Sequence, residues 1–243
     1  MIALGIESAT ESLGAALDAG AESRASVRIT GRRRHAESLA PAIEAVLERT
    51  GTALRALEAI AVDVGPGLFT GLRVGVAMAK GLAQGLGIGL IGLNSLEVLA
   101  TAAFDAGWDG TVLSVVDGRR GEVFAAHFGL GSSATDLEEL VGPVRVRPED
   151  LLGALLCATG KPVLACGDGA AAHRERLAGN DRVSVAGSTL AAPDPAALLR
   201  LALARLERGD ALVGPNELEV CYLREPDTKI NWVQRLAPES RDG

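Results

Sequence analysis

The stretch IAVDVGPGLFTGLRVGVAMAKGLAQGLGIGLIGLNSLE, from Ile60 to Glu97, predicts a strand, a loop, a helix and a second strand. An apolar run ends at Val64, turn residues occupy positions 65–67, and a helix rich in small residues follows. A second apolar run over residues 88–93 completes the unit. Strands that alternate with helices in this way are typical of an α/β fold.

The loop of this unit has two interpretations. Glycine adopts backbone angles closed to other residues, and the free N–H groups of a first helical turn bind anions. The loop is therefore either a nucleotide contact or an ordinary tight connection, and it lacks the lysine and the glycine spacing of the common phosphate-binding motifs. The candidate contacts are Gly65, Pro66, Gly67 and Thr70, of which Thr70 is also a candidate N-cap.

The helix after the loop is apolar on two sides. One side carries Leu72, Val76, Ala79 and Ala83, the other carries Val74, Met78 and Leu82, and the polar exceptions include Arg73 and Lys80. A helix of this kind needs two covers. We expect the sheet to provide one, while the second comes from the preceding helix and from another subunit. That preceding helix starts regularly at Pro41 and has the apolar stripe Leu39, Ile43 and Val46.

The composition limits the function classes. The 243 residues carry a net charge of -7, which argues against broad, unassisted nucleic-acid binding because phosphate affinity depends on clustered Lys and Arg. The first ten residues lack the features of a secretory signal, and the most apolar window is interrupted by Arg73 and Lys80. We therefore expect a cytoplasmic protein with no membrane contact. Three cysteines without C-x-x-C spacing indicate reduced thiols and no zinc site.

The sequence predicts two lobes. Residues 1–107 open with three antiparallel strands, and residues 108–224 open with a hairpin whose turn lies at 117–121. Asn94 is expected to cap a helix that begins at Ser95, and residues 129–142 are expected to form a polar excursion. Asp194 and Pro195 begin a last helix, which belongs to the second lobe or packs back on the first. Residues 225–243 are expected to be a poorly ordered tail.

Polar residues near the strand ends are the other candidates for chemistry. Glu7 and Ser8 face a phosphate or a metal-bound water, or else form a solvated turn, and Arg119 and Arg120 contact a phosphate, an acidic partner or solvent. The basic cluster at residues 32–34 is either a solvated face or a tRNA contact. The three histidines are far apart and no G-x-S-x-G or H-E-x-x-H motif occurs, so local motifs predict neither a metal pair nor a catalytic nucleophile.

The segments LGIESATESLGAAL, VDVGPGLFTGLRVG and VVDGRRGEVFAAHF together resemble the TsaB family, also called YeaZ, of tRNA threonylcarbamoyladenosine biosynthesis. The resemblance is close over about the first 130 residues and looser through CGDGA and YLREP. It implies a two-lobed actin-like, Hsp70-like and sugar-kinase-like (ASKHA) fold with duplicated mixed-sheet lobes.

The resemblance also implies a role. TsaB is similar to TsaD, the transferase, which carries two metal-binding histidines where this chain has Ser95 and Leu99. It therefore implies a noncatalytic scaffold that binds TsaD, works with the ATPase TsaE, forms a homodimer alone and meets tRNA only indirectly. It places the interface on Leu39, Ile43, Val46, Leu72, Arg73, Val76, Ala79, Lys80 and Ala83. ATP or ADP would bind at the junction with TsaD, near the candidate contacts named above, and no cofactor or metal would bind to the chain alone.

Two other functions remain open from the sequence. A free-standing ATPase or small-molecule kinase of the same fold would need a complete phosphate site within one chain. A peptidase, a class with which the family has been grouped, would need a nucleophile motif or a metal pair, and the sequence shows neither locally.

Overall fold

Two five-stranded mixed sheets form the framework of the chain in a computed structural model that describes residues 1–20, 23–31, 35–156 and 160–221. The strands of the first sheet, here the N-sheet, are β1 (Ala3–Glu7), β2 (Leu13–Asp18), β3 (Arg24–Ile29), β4 (Ala59–Gly65) and β5 (Gly89–Asn94). Those of the second, the C-sheet, are β6 (Thr111–Arg119), β7 (Glu122–Leu130), β8 (Leu137–Val146), β9 (Val163–Cys166) and β10 (Val183–Val185).

The two sheets have the same topology. Their spatial orders are β3-β2-β1-β4-β5 and β8-β7-β6-β9-β10. In each sheet the central strand, β1 or β6, pairs antiparallel with the strand that follows it and parallel with the neighbour on its other side. This duplication confirms the predicted two-lobed α/β fold of the ASKHA kind.

Seven α-helices cover these sheets within the described ranges: α1 (His35–Thr50), α2 (Phe69–Leu86), α3 (Ser95–Asp105), α4 (Leu151–Leu155), α5 (Asp168–Ala172), α6 (Arg174–Leu177) and α7 (Pro195–Glu207). Short 3-10 turns occupy Leu54–Ala56 and Ser188–Leu190. The predicted strand–loop–helix–strand unit is therefore β4, the loop 66–68, α2 and β5.

Local sequence signals explain three of the helix ends. The Asn94 side chain accepts a hydrogen bond from the Leu96 N–H, and Asp194 accepts from the N–H groups of Ala196 and Ala197, as both predicted caps require. Gly87 ends α2 with a φ of 70°, a left-handed conformation that glycine adopts without strain. The prediction for Thr70 was wrong, because α2 begins at Phe69 and Leu68 holds the cap position without a side-chain bond.

Two further predictions were wrong. The helix α1 begins at His35 and includes Pro41, whose position on the exposed side lets water replace the lost helical hydrogen bond. The predicted polar excursion contains β8, an edge strand paired with β7 alone. Its charged and half-exposed side chains hid it from hydrophobic periodicity, because an edge strand of this kind buries neither face fully.

The last helix lies on the N-sheet. Buried residues of α7, including Leu198 and Leu201, pack with Ala3 on β1 and Ala61 on β4. Ion pairs from Arg205 to Glu97 and from Arg200 to Asp105 join α7 to α3. The chain therefore returns to the first lobe after completing the second.

The following segment stays on the N-sheet, where Val213 exchanges hydrogen bonds with Leu90 on β5 and the Cys221 N–H donates to the Val64 carbonyl. The predictions for the basic cluster 32–34 and the tail 225–243 lie outside the described residues. In the described part of the chain, no helix has the length and apolar character needed to cross a bilayer.

Candidate functional site

The glycine-proline loop is packed against the chain itself. Leu68 N–H donates to the Ala9 carbonyl, and a Cβ on Gly67 would lie 2.1 Å from that same carbonyl oxygen. Gly65 has a φ of 104°, and a Cβ there would lie 3.0 Å from the Cys221 carbonyl oxygen. Glycine at both positions is therefore explained by close approach of protein backbone, and Pro66 between them is buried.

The start of α2 lies directly on the end of β1. The Ser8 hydroxyl donates to the Gly71 carbonyl at 2.9 Å, and a Cβ on Gly75 would lie 2.1 Å from the Ser8 oxygen. Gly71 and Gly75 therefore admit Ser8, the residue that follows β1, and the Ser8 hydroxyl is used as a structural hydrogen-bond donor.

Two carboxyl groups are buried side by side beneath this loop. Glu7 and Asp63 follow the last paired residues of β1 and β4, which run parallel, and each is at most 1% exposed. The Ser95 hydroxyl and the Gly65 N–H donate to Asp63 Oδ1 at 2.6 and 2.7 Å, and the Ala9 N–H donates to Glu7 Oε1 at 2.8 Å. The remaining oxygens, Glu7 Oε2 and Asp63 Oδ2, are buried, and apart from the two carboxyl groups themselves no described residue donates to either.

A shared proton accounts for this arrangement. Burial, and then the charge of Asp63, raise the pKa of Glu7 well above its ordinary value. Burial also raises the pKa of Asp63, but hydrogen bonds from Glu7, Ser95 and Gly65 oppose that rise. The proton therefore resides on Glu7 and the charge on Asp63, so that a carboxylic acid donates to a carboxylate. The nearby charges of Asp194 and Glu97 are both negative and strengthen proton retention.

The charged residues that line the cleft between the lobes are mainly acidic. Arg119 at the end of β6 reaches Glu11, in the turn after β1, at 2.9 Å and Asp117 at 3.1 Å. A cavity of about 240 Å³ beside this ion pair is also bordered by Asp168. Burial raises the pKa of Asp168 to about 6, although it accepts a hydrogen bond from the Asp117 N–H. Three carboxyl groups against one guanidinium disfavour a bare phosphate anion here.

The predicted nucleotide contacts are therefore dispersed. Glu7 and Ser8 are buried, the glycine-proline loop is covered by backbone, and Thr70 is exposed on the first turn of α2. Arg119 lies in the cleft, whereas Arg120 lines a different groove on the second lobe. The structure does not bring these residues together around one cavity.

Most of the predicted partner interface is core. Seven of its nine residues are at most 5% exposed, and all of these but Leu72 belong to one buried cluster beneath the N-sheet helices: Leu39, Ile43, Val46, Leu72, Val76, Ala79 and Ala83. Of the others, Arg73 is exposed and Lys80 is half-buried. The prediction of those seven as partner contacts is corrected, because the most apolar stripe of each helix faces its own lobe.

A different face of α2 is accessible. Phe69, Arg73, Ala77, Gly81 and Gly85 are exposed at four-residue spacing, so they form one row on the helix surface. The Arg73 guanidinium lies 3.8 Å from the centroid of the Phe69 ring. Half-buried Val74, Met78 and Leu82 border this row. We call these eight residues the α2 outer face.

Ser95 and Leu99, the positions at which the resemblance implies metal-binding histidines in TsaD, contact other residues of this chain. Ser95 donates to Asp63, and Leu99 is fully buried among apolar residues between α3 and the C-sheet. The sequence could not reveal the partnership of Asp63 with Glu7 and Ser95, although a charged residue inside the apolar run IAVDV was a usable signal. Within the described ranges, no three His, Cys, Asp or Glu side chains converge as metal ligands.

Known proteins have similar sequences and folds. A family model described as TsaD, tRNA N6-adenosine threonylcarbamoyltransferase, matches residues 28–232. The tRNA threonylcarbamoyladenosine biosynthesis protein TsaB of Haemophilus influenzae is 28% identical over 236 residues, which is 94% of either chain. The TsaB of Escherichia coli is 34% identical over 125 residues, 51% of this chain and 54% of its own. A solved structure described as YeaZ from Pseudomonas aeruginosa, 26% identical, matches with a TM-score of 0.80 over 91% of this chain and 99% of that chain.

Proposed function

We propose, from the premise that this chain belongs to the TsaB (YeaZ) branch of the TsaD family, that it is a noncatalytic partner of TsaD in tRNA threonylcarbamoyladenosine biosynthesis. The pathway is the one in which its TsaB relatives are named. The finer role, as scaffold and activator of the transferase, rests on the contacts described above.

The observation that carries the proposal is the internal use of Ser95 and Leu99. The resemblance implies histidines at these positions in the transferase, where they hold a metal. Here the Ser95 hydroxyl is committed to Asp63 at 2.6 Å, and Leu99 has no ligand atom and is buried. A hydroxyl and an alkyl group cannot replace two imidazoles at a metal centre. The chain therefore requires a partner that supplies the chemistry.

The α2 outer face is the surface that we assign to that partner. It combines an aromatic side chain with small residues: a Cβ on Gly81 or on Gly85 would meet no atom within 4 Å. Small residues allow close approach of a second helix, and the half-buried Val74, Met78 and Leu82 gain cover when it docks. The same face of a second copy would explain a homodimer in the absence of TsaD.

Ala77→Glu tests this interface. The side chain of Ala77 is exposed, so the substitution leaves the lobe core intact, whereas a charge at Val76 or Ala79 would disrupt it. A charge buried at a helix contact without a partner costs several kcal/mol, so we expect TsaD affinity to fall at least about tenfold. Calorimetric titration with TsaD measures the affinity, and sedimentation measures the homodimer.

Ala172→Glu is the matched control, because it places the same charge on an exposed helical residue of the second lobe. It should bind TsaD like the wild type. Equal affinities of the two variants would refute the assignment of the α2 outer face, and a folded wild-type chain that never binds TsaD would refute the proposed function.

Nucleotide and TsaE belong to the assembled complex in this proposal. The cleft of the isolated chain is bordered by Glu11, Asp117 and Asp168, which supports weak or no binding of ATP by the chain alone. A junction with TsaD would add groups that this cleft lacks. Titration of ATP and ADP with Mg²⁺ into the chain, into TsaD and into the mixture would locate the site.

The two alternative functions, ATPase or kinase and peptidase, are tested with the same purified proteins. Micromolar ATP affinity with turnover by the isolated chain would favour a free-standing ATPase or kinase. A peptidase role has no supporting side-chain constellation among the described residues, and one tightly bound zinc per purified chain would be needed to support it.

A further inference from the structure

A groove on the second lobe collects basic side chains from three separate segments. Arg120 comes from the β6–β7 turn, Arg147 from the loop before α4, and His173 with Arg176 from the α5–α6 region. The groove has a volume of about 490 Å³. Its acidic members are Glu122 and Glu149.

Several of these basic side chains lack strong partners in the described part of the chain. The side chains of Arg176 and His173 make no hydrogen bond or ion pair there, and the ion contact of Arg147 with Glu149 is long at 4.0 Å. Arg174, in the same helical segment, provides a contrast. Its guanidinium donates to the Val185 and Ala186 carbonyls at 3.1 and 2.7 Å, so it fixes the fold.

The β6–β7 turn directs neighbouring arginines to different places. Arg119 and Arg120 have φ values of 62° and 55°, which cost free energy in residues other than glycine. Arg119 enters the cleft and pairs with Glu11, whereas Arg120 lines the groove. The turn therefore presents a guanidinium at the groove although a glycine or asparagine would adopt its backbone more easily.

The chemistry of the groove fits phosphate. Guanidinium groups bind phosphate oxygens through paired N–H donors, and this local excess of cations occurs on a chain whose net charge is -7. Arg120, Arg147 and Arg176 are exposed, so the groove is open and suits an extended polyanion. No Phe, Tyr or Trp side chain lines it, so its contacts favour phosphates over stacked bases.

We propose that this groove contacts backbone phosphates of RNA. The inference rests on the proposed function, since tRNA is the substrate of that pathway, and it replaces purely indirect contact with a direct but sequence-independent one. The small number of cations agrees with binding that needs the assembled complex.

The test is a titration of an unmodified tRNA transcript into the complex of this chain with TsaD, followed by fluorescence anisotropy at several salt concentrations. Arg147→Glu with Arg176→Glu should weaken binding about tenfold or more and reduce the salt slope by about 2. Arg55→Glu with Lys161→Glu is the matched control, because both residues are exposed elsewhere and the net charge changes equally. The control should change affinity less than about twofold.

Equal affinity and salt slope of the two double variants would overturn the inference, and would leave the proposed function standing if both variants still bind TsaD. If the wild-type chain does not bind TsaD, the proposed function fails, and titration of the chain alone at low salt, where few phosphate contacts give measurable binding, still decides the groove. Calorimetry with inorganic pyrophosphate separates the sources of phosphate. Saturable pyrophosphate binding lost in the groove variant, with tRNA affinity unchanged, would overturn the assignment to RNA.

Discussion

Glu7→Gln is expected to stabilise the protein at neutral pH. In the folded chain Glu7 keeps a proton because it is buried beside the negative Asp63, whereas an unfolded Glu side chain has lost its proton above about pH 4.5. Folding therefore requires proton uptake, and the free energy of unfolding falls as the pH rises toward the folded pKa. Gln donates permanently from its amide to Asp63 Oδ2 and requires no proton.

The magnitude follows from linkage. One proton bound only in the folded state lowers the free energy of unfolding by about 1.4 kcal/mol for each pH unit above the unfolded pKa. Over two such units the wild type should lose about 3 kcal/mol that Glu7→Gln keeps. Among the pH values tested, the two proteins should be closest in stability at pH 5, because the unfolded chain is nearest there to binding the same proton.

Urea unfolding of both proteins at pH 5, 6, 7 and 8, followed by circular dichroism, measures this effect. The difference between the proteins is the informative quantity, because the raised pKa of Asp168, about 6, adds its own loss of stability with rising pH to both. Glu44→Gln is the control, since Glu44 lies on the exposed side of α1. A constant difference at all four pH values, or a Glu7→Gln variant less stable than the wild type at pH 8, would refute the shared proton.

The remaining predictions concern packing, the cleft and nucleotide. Gly75→Ala should lower the free energy of unfolding by about 1–3 kcal/mol, because its Cβ would collide with the Ser8 oxygen. Gly81→Ala in the same helix should raise the free energy of unfolding by about 0.4–1 kcal/mol, because a Cβ there meets no atom. Equal effects of the two substitutions in urea unfolding would contradict this prediction. Arg119→Ala should change the free energy of unfolding by less than about 1 kcal/mol, because Arg119 and Glu11 are both 47% exposed, and a larger loss would show a stronger link between the lobes. Calorimetry should detect no micromolar ATP binding to the isolated chain, and turnover would count against a noncatalytic role.

Local signals predicted the elements well, and long-range arrangements poorly. The glycine-proline unit, the 117–121 hairpin and the caps at Asn94 and Asp194 depend on neighbouring residues, so the sequence carries them directly. The edge strand β8 was not predicted, because its side chains alternate only weakly between buried and exposed. The position of α7 on the N-sheet depends on contacts with strands more than 100 residues away, which periodicity does not encode.

The candidate site was likewise predicted where it depends on local pattern and missed where it depends on long-range contacts. Periodicity identified the apolar stripes of α1 and α2, but those stripes include residues such as Val46 and Ala79 that face the core. The accessible face carries Ala77, Gly81 and Gly85, which contribute little to a hydrophobic pattern. The pairing of Glu7 with Asp63 spans β1 and β4, so only the register of the parallel strands reveals it.

The most direct test of the central claim is formation of threonylcarbamoyladenosine on tRNA by TsaD, TsaE and the carbamoyl-adenylate synthase, with and without this chain. We predict that modification requires this chain, falls strongly with Ala77→Glu, stays at the wild-type level with Ala172→Glu and is restored by a large excess of the Ala77→Glu variant. Modification that proceeds equally well without this chain, or that this chain performs without TsaD, would contradict its role as a noncatalytic partner.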